Sequence, residues 1–170
     1  MEVMKAIKTK RAVRVFRKQP LTGEDVEAIL FAGRRAQSAK NMQPWDFIAI
    51  QDRETLVKLS KLGTYASHLA GAALGIVIVT PPPESRFSVL FDAGQSAAYM
   101  QLAAWSLGIA SCLATIYQLD DARALLGFPS NRVAYIAISF GYPEDQAVLT
   151  APPQKGGRRL PDEVIHREKW

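Results

Sequence analysis

Two short stretches concentrate groups able to hold an anion and a planar polar ring. In Lys10-Arg11-Ala12-Val13-Arg14-Val15-Phe16, three cations recur at close spacing ahead of an apolar anchor. The forked N–H groups of a guanidinium match pairs of phosphate oxygens, which a single ammonium cannot do. The same stretch would also serve as a solvated basic face. In Ser38-Ala39-Lys40-Asn41-Met42-Gln43-Pro44-Trp45, a hydroxyl, two side-chain amides and an indole share one loop. Such groups can hydrogen-bond a flat heterocycle, although Asn and Pro are ordinary turn residues too.

The remaining reactive side chains are sparse. Cys112, the one cysteine, lies among Ile109, Ala110 and Leu113, and reads as a small buried side chain rather than a nucleophile. His68 follows a helix end and His166 lies near the end of the chain; each reads as a surface or capping group rather than a general base. Two histidines and one cysteine offer no metal-ligand spacing, so no metal is expected. There is no phosphate loop, dinucleotide fingerprint or nucleophile elbow. An enzyme so poor in reactive groups takes its chemistry from a cofactor.

The elements that must carry these stretches follow from periodicity and punctuation. Thr22 caps a helix over 22–35, in which Val26, Ile29, Leu30 and Gly33 share a face. A strand over 47–50 follows the polar loop, and Asp52 caps a second helix that ends at Gly63. Residues 75–80 form a buried Ile/Val strand stopped by Pro81-Pro82-Pro83. An Ala-rich helix spans about 87–107, apolar on several sides as an interface helix would be. After it come an apolar segment over 109–116, a small helix from Asp120 to Gly127, and a strand over 133–140 closed by Gly141-Tyr142-Pro143. The tail holds a helical turn near 162–166 and Trp170, which has nothing local to pack on.

With 170 residues, 48% of them apolar and 22% charged, the chain suits one globular domain spanning 1–170. The longest apolar run, 69–79, is too short to cross a bilayer, and the start of the chain lacks a secretion signal's apolar stretch. No membrane partner and a cytoplasmic location are therefore expected. The net charge of +5 is carried at the two ends, by Lys5 to Lys18 and by Lys155 to Lys169, while the middle is balanced. That distribution suits one anion site built from both ends better than the continuous stripe of a nucleic-acid binder.

These motifs together resemble the nitroreductase family of FMN-dependent oxidoreductases. The basic opening is similar to the family's Arg-Arg-Ser-Ile-Arg-x-Phe, and the 38–45 loop to its Ser-x-x-Asn-x-Gln-Pro-Trp. Asp92 with the Ala-rich helix, Gly141-Tyr142-Pro143, and Arg158-Arg159-Leu160-Pro161 match further family features in the same order. The resemblance implies an α+β fold, with a mainly antiparallel sheet flanked by helices in an intertwined homodimer. Lys10, Arg11 and Arg14 would lie along FMN, with Lys155 and one of Arg158 or Arg159 completing a phosphate clamp. Ser38, Asn41 and Gln43 would approach the flavin from the second subunit, and Leu113, Ala114 and Thr115 would form the turn beside its N5 edge. No side chain need act as acid or base. The implied activity is hydride transfer from NAD(P)H to a quinone or nitroaromatic acceptor by a ping-pong mechanism.

Ala12 stands where relatives carry Ser, and Tyr99 where Asn is common. The stretch between Trp45 and Asp92 is shorter than in most relatives, which implies an open site. Two rivals follow: a non-catalytic flavin- or nucleotide-binding protein with the same fold, and a nucleic-acid binder using the basic termini, which would lose affinity steeply with salt.

Overall fold

The computed structural model describes residues 1–151 and 157–170. Six helices occur among them: α1 (Val3–Thr9), α2 (Gly23–Arg34), α3 (Arg53–Leu59), α4 (Ser88–Ser106), α5 (Leu119–Leu126) and α6 (Pro161–Val164). Four strands, β1 (Asp46–Ile50), β2 (Leu74–Thr80), β3 (Ala110–Thr115) and β4 (Val133–Gly141), form one sheet in the order β1-β2-β4-β3. Every pairing is antiparallel, from Asp46 opposite Val79 to Ala110 opposite Gly141. The α+β architecture read from the sequence is the one observed.

Local chemistry accounts for most boundaries. The Thr22 hydroxyl accepts the Asp25 amide at 3.1 Å, and the Asp52 carboxylate accepts the Thr55 amide at 2.7 Å, satisfying donors that a helix start leaves open. Gly127 ends α5 at φ 72°, a left-handed conformation that costs glycine little. Two boundaries differ from expectation. The helix that follows Asp52 stops at Leu59 rather than Gly63, and Asp120 lies inside the first turn of α5 with Gln118 at its cap. The short helix α1 goes unsignalled, because only its Ala6 is buried while Val3, Met4 and Ile7 stay exposed.

The sheet is covered on both faces. Ile76, Ile78, Ile138 and Phe140 meet Ile29 of α2 and Met100 and Ala104 of α4. The alternate residues Val77, Val79, Ala114 and Ala137 meet Leu56 and Leu59 of α3 and Ala122 of α5. All seven residues of β2 are buried, as its continuous apolar run demands of a central strand. Within the described residues, no helix is long and apolar enough to cross a membrane.

Candidate functional site

The N-terminal basic stretch runs along the start of β3. Ala12 bridges Ser111 in parallel, the Val13 amide donates to the Ser111 carbonyl at 3.0 Å, and Phe16 bridges Pro143. Phe16 packs so closely on Gly141 that a Cβ there would lie 2.9 Å from its ring. The stretch is thereby clamped between β3 and the end of β4.

Lys10 follows α1 and donates from Nζ to Gln101 Oε1 at 3.1 Å, an acceptor buried midway along α4. Burial lowers its pKa, the nearby Arg158 guanidinium lowers it further, and the Cys112 side chain opposes both. Arg158 is exposed, and its charge is felt at Lys10. Arg159 turns the other way: it donates to the Glu163 carbonyl and pairs with that carboxylate at 3.6 Å. The Arg11 guanidinium is taken up by the carbonyls of Thr9 and Ala151. Lys155 lies outside the described residues.

Arg14 is exposed, and its charge acts on two buried groups, Cys112 and His68. Burial raises the Cys112 thiol pKa, against the opposing pull of Arg14 and Lys10, which keeps the thiol protonated and suits the structural role read for it. His68 corrects the sequence reading. It is buried in a 3₁₀ turn over Ser67–Gly71, with Nδ1 2.7 Å from Ser139 Oγ, rather than lying at the surface. Its pKa is lowered, first by burial and then by Arg14, with the Leu113 carbonyl working the other way.

Leu113, Ala114 and Thr115 belong to β3 rather than to a turn. Leu113 and Thr115 are exposed, while the Ala114 side chain enters the core, so only its backbone is available to a ligand. A groove of about 390 Å3 beside them is lined by Leu90, Gly94, Ala98, Gln101, Leu113 and Ile136. It joins the acceptor of Lys10 to the exposed face of β3.

Ser38, Asn41 and Gln43 form a separate cluster. Ser38 Oγ accepts the Gln43 amide at 2.8 Å, and Gln43 Nε2 donates to Asn41 Oδ1 at 3.2 Å. Lys40, Asn41 and Gln43 all have positive φ, of 54°, 54° and 46°. Such a strained loop persists only when its surroundings hold it. The buried Asp92 carboxylate accepts the Ala39 amide at 3.1 Å, and Arg86 donates to the Ala39 carbonyl at 3.0 Å. With Asp92 and Gln101 nine residues apart on α4, the two clusters sit about 14 Å apart along the helix.

Gln101, His68 and Arg86 are the site residues that sequence reasoning missed. The available signal was a lone polar side chain in an apolar setting: Gln101 in the Ala-rich helix, His68 just ahead of the 69–79 run.

The donor set suits an anionic, hydrogen-bonding cofactor. Among the described residues, Lys10, Arg14 and Arg158 have no carboxylate partner, while the buried His68 Nε2 and Ser111 Oγ have no hydrogen-bond partner. Positive charge without compensation calls for an anion.

Residues 7–64 and 61–142 match the model of the Nitroreductase family. The chain belongs to the nitroreductase family. That membership agrees with the motifs read from the sequence. A protein of Archaeoglobus fulgidus with the provisional name NADH dehydrogenase/NAD(P)H nitroreductase is 37% identical over 99% of both chains. The NADPH-flavin oxidoreductase of Vibrio harveyi is 26% identical, over 93% of this chain and 70% of its own. The solved FMN-dependent nitroreductase of Clostridium difficile superposes with a TM-score of 0.85 at 27% identity, covering 98% of this chain and 99% of that one.

Proposed function

We propose that this nitroreductase-family chain binds FMN, takes hydride from NAD(P)H and passes it to a small quinone or nitroaromatic acceptor by a ping-pong mechanism. The observation that carries the reading is the clamping of the basic stretch along β3, with Lys10 bonded to Gln101 of α4 and, among the described residues, no carboxylate paired with Lys10, Arg14 or Arg158. FMN, when bound, supplies the two-electron chemistry, with donor and acceptor using one pocket in turn. Arg158 and Lys10 suit its phosphate. Arg14 would offer a permanent positive charge to the pyrimidine edge, which becomes anionic on reduction. The backbone of Leu113–Thr115 offers hydrogen-bonding groups along the ring.

The site is completed by a second copy. Phe87, at the start of α4, and Leu90, Phe91 and Tyr99 along it are exposed apolar side chains. Packing them against their symmetry mates would carry the Ser38–Gln43 loop of one protomer toward the cationic cluster of the other. The exposed tail, with Leu160, Val164, Ile165 and Trp170 facing solvent, suits the same assembly.

The deciding experiment is an absorption spectrum of the purified protein, followed by anaerobic reduction with NADH and NADPH and steady-state turnover with menadione. A flavin spectrum, bleaching by a nicotinamide and turnover are expected. Bound flavin without turnover would favour the non-catalytic reading, and a colourless protein that takes up no FMN would defeat both. Arg14→Ala should weaken FMN binding roughly tenfold to a hundredfold, the loss of one charge-assisted hydrogen bond, measured by flavin fluorescence titration.

A further inference from the structure

β3 is the outer strand of the sheet, and its free side is covered at its two ends. At one end the Val13 amide donates to the Ser111 carbonyl; at the other the Tyr117 amide donates to the Leu62 carbonyl, with Gly63 close against Thr115. The backbone groups of successive residues in an antiparallel strand point to opposite sides. Ser111 points its carbonyl outward to Val13, so Leu113 points its N–H and C=O outward as well, while Cys112 points inward to β4. Among the described residues, nothing bonds the Leu113 amide on that open side.

Behind this opening lies a buried polar chain. His68 Nδ1 is 2.7 Å from Ser139 Oγ, and that hydroxyl donates to the Cys112 carbonyl at 3.3 Å. His68 is 5% exposed and Ser139 0%. Burial and the Arg14 charge keep the imidazole neutral near neutral pH, with one N–H and one lone pair. Ser139 gives its single proton to Cys112, so Nδ1 carries the ring proton, and Nε2, which has no partner, is the bare nitrogen.

The Cys112 carbonyl and the Leu113 N–H belong to one planar peptide unit, in which they point in opposite directions. Ser139, by holding the carbonyl on the inner side, fixes where the N–H points on the open side. A hydrogen bond to the carbonyl also polarises the unit and makes that N–H a stronger donor. No proton need move along the chain; its bonds orient and polarise.

We propose that His68 is a positioning residue for hydride transfer, aiming the Leu113 N–H at the flavin through Ser139 and the Cys112–Leu113 peptide. The proposal rests on the flavin reading of the preceding subsection, in which the Leu113–Thr115 backbone lines the ring.

The flavin-free protein gives the first test. Nitrogen NMR of the histidine rings should show His68 protonated at Nδ1 and bare at Nε2; a protonated Nε2, donating to the Leu113 carbonyl instead, overturns the proposal. Amide exchange across 112–115 should quicken several-fold in Ser139→Ala and His68→Leu while that of β2 is unchanged. Exchange that stays at the wild-type rate in both overturns it too.

The holoenzyme gives the second. In stopped-flow reduction by NADH or NADPH, the limiting rate per bound flavin should fall roughly tenfold in both variants, part of the hundredfold that a displacement of about 1 Å can cost. Structural weakening alone would lower the fraction of protein that holds flavin, not the rate per bound flavin. His68→Asn, whose amide N–H reaches the place of Nδ1, should recover most of that rate, and His68→Gln, which reaches the place of Nε2, should not. An unchanged limiting rate in Ser139→Ala, or equal recovery by Asn and Gln, overturns the positioning role and leaves the flavin enzyme standing. A wild-type protein that takes up no FMN, or whose FMN neither nicotinamide reduces, overturns the underlying reading and the proposal with it. Should His68→Leu fail to fold, Ser139→Ala, which removes a single hydroxyl, still decides.

Discussion

Lys10 Nζ donates to Gln101 Oε1 at 3.1 Å across 91 residues of sequence, tying the cationic start of the chain to the buried middle of α4. The amide is the ammonium's one hydrogen-bonding partner among the described residues, and burial has already lowered the Lys10 pKa. Gln101→Leu removes the acceptor and leaves a half-buried cation with nothing to bond. Stability without cofactor should fall by about 1.5 kcal/mol, the low end for a hydrogen bond to a charged group, because the ammonium is not fully enclosed. Urea unfolding of wild type and variant at matched FMN content measures it. Saturating FMN should narrow the difference by giving Lys10 a new partner.

The Asp92 carboxylate does comparable work for the 38–43 loop. It is buried, accepts the Ala39 amide, and faces a backbone with three positive φ values that must be held in place. Asp92→Ala should cost about 1–3 kcal/mol and loosen Ser38, Asn41 and Gln43 together. Amide hydrogen exchange across 39–43 should quicken while that of β2 stays slow. Asp92→Asn keeps a carbonyl acceptor and should recover much of the protection.

His68 makes stability depend on pH in a defined window. Its pKa in the folded chain is held below the ordinary 6.5 by burial first and Arg14 second. Below pH 6.5 the unfolded chain therefore binds more protons than the folded one. Stability is fully present above that value and declines as the pH falls, by at most about 1.4 kcal/mol per unit. The charged groups facing the ring add no compensating carboxylate, since Arg14 is the one that acts on it. His68→Gln should flatten melting temperature against pH between 5 and 6.5. Asp52, whose carboxyl pKa is lowered by its bonds to Thr55, acts only at more acid pH.

Gly63 is required by a close approach rather than by its dihedral angles. A Cβ there would lie 2.0 Å from the Thr115 carbonyl oxygen, and backbone at the end of β3 cannot yield as a side chain could. Gly63→Ala should destabilise the fold by about 3 kcal/mol or more, beyond ordinary overpacking, and displace the strand that carries Leu113. Thermal melts and FMN titration of the variant check both effects. An unchanged melt would show that β3 can shift freely.

Much of the framework is legible locally. Helix α2 announces itself by a capping threonine and a clean apolar face, and β2 by an unbroken Ile/Val run, because caps and periodicity are short-range properties. Helix α1 was not legible, since burying one alanine leaves almost no pattern. The helix after Asp52 ends at Leu59, short of Gly63, because that glycine serves the contact with Thr115 rather than the helix end.

The chemistry divides along the same line. The basic stretch at 10–14, the polar loop at 38–43 and the family they signify can be read residue by residue, since each motif is contiguous. Which groups complete them is a matter of distance in space. Arg158 and Arg159 are neighbours of identical type, yet only Arg159 pairs with Glu163, while the charge of Arg158 is felt at Lys10. For His68 the one local mark is its place just ahead of the 69–79 apolar run; the packing of a 3₁₀ turn over Ser139 buries it, where the Arg14 charge acts on it. Side-chain type sets which interactions are available, and only the folded chain, by excluding water and closing long loops, selects the ones that form.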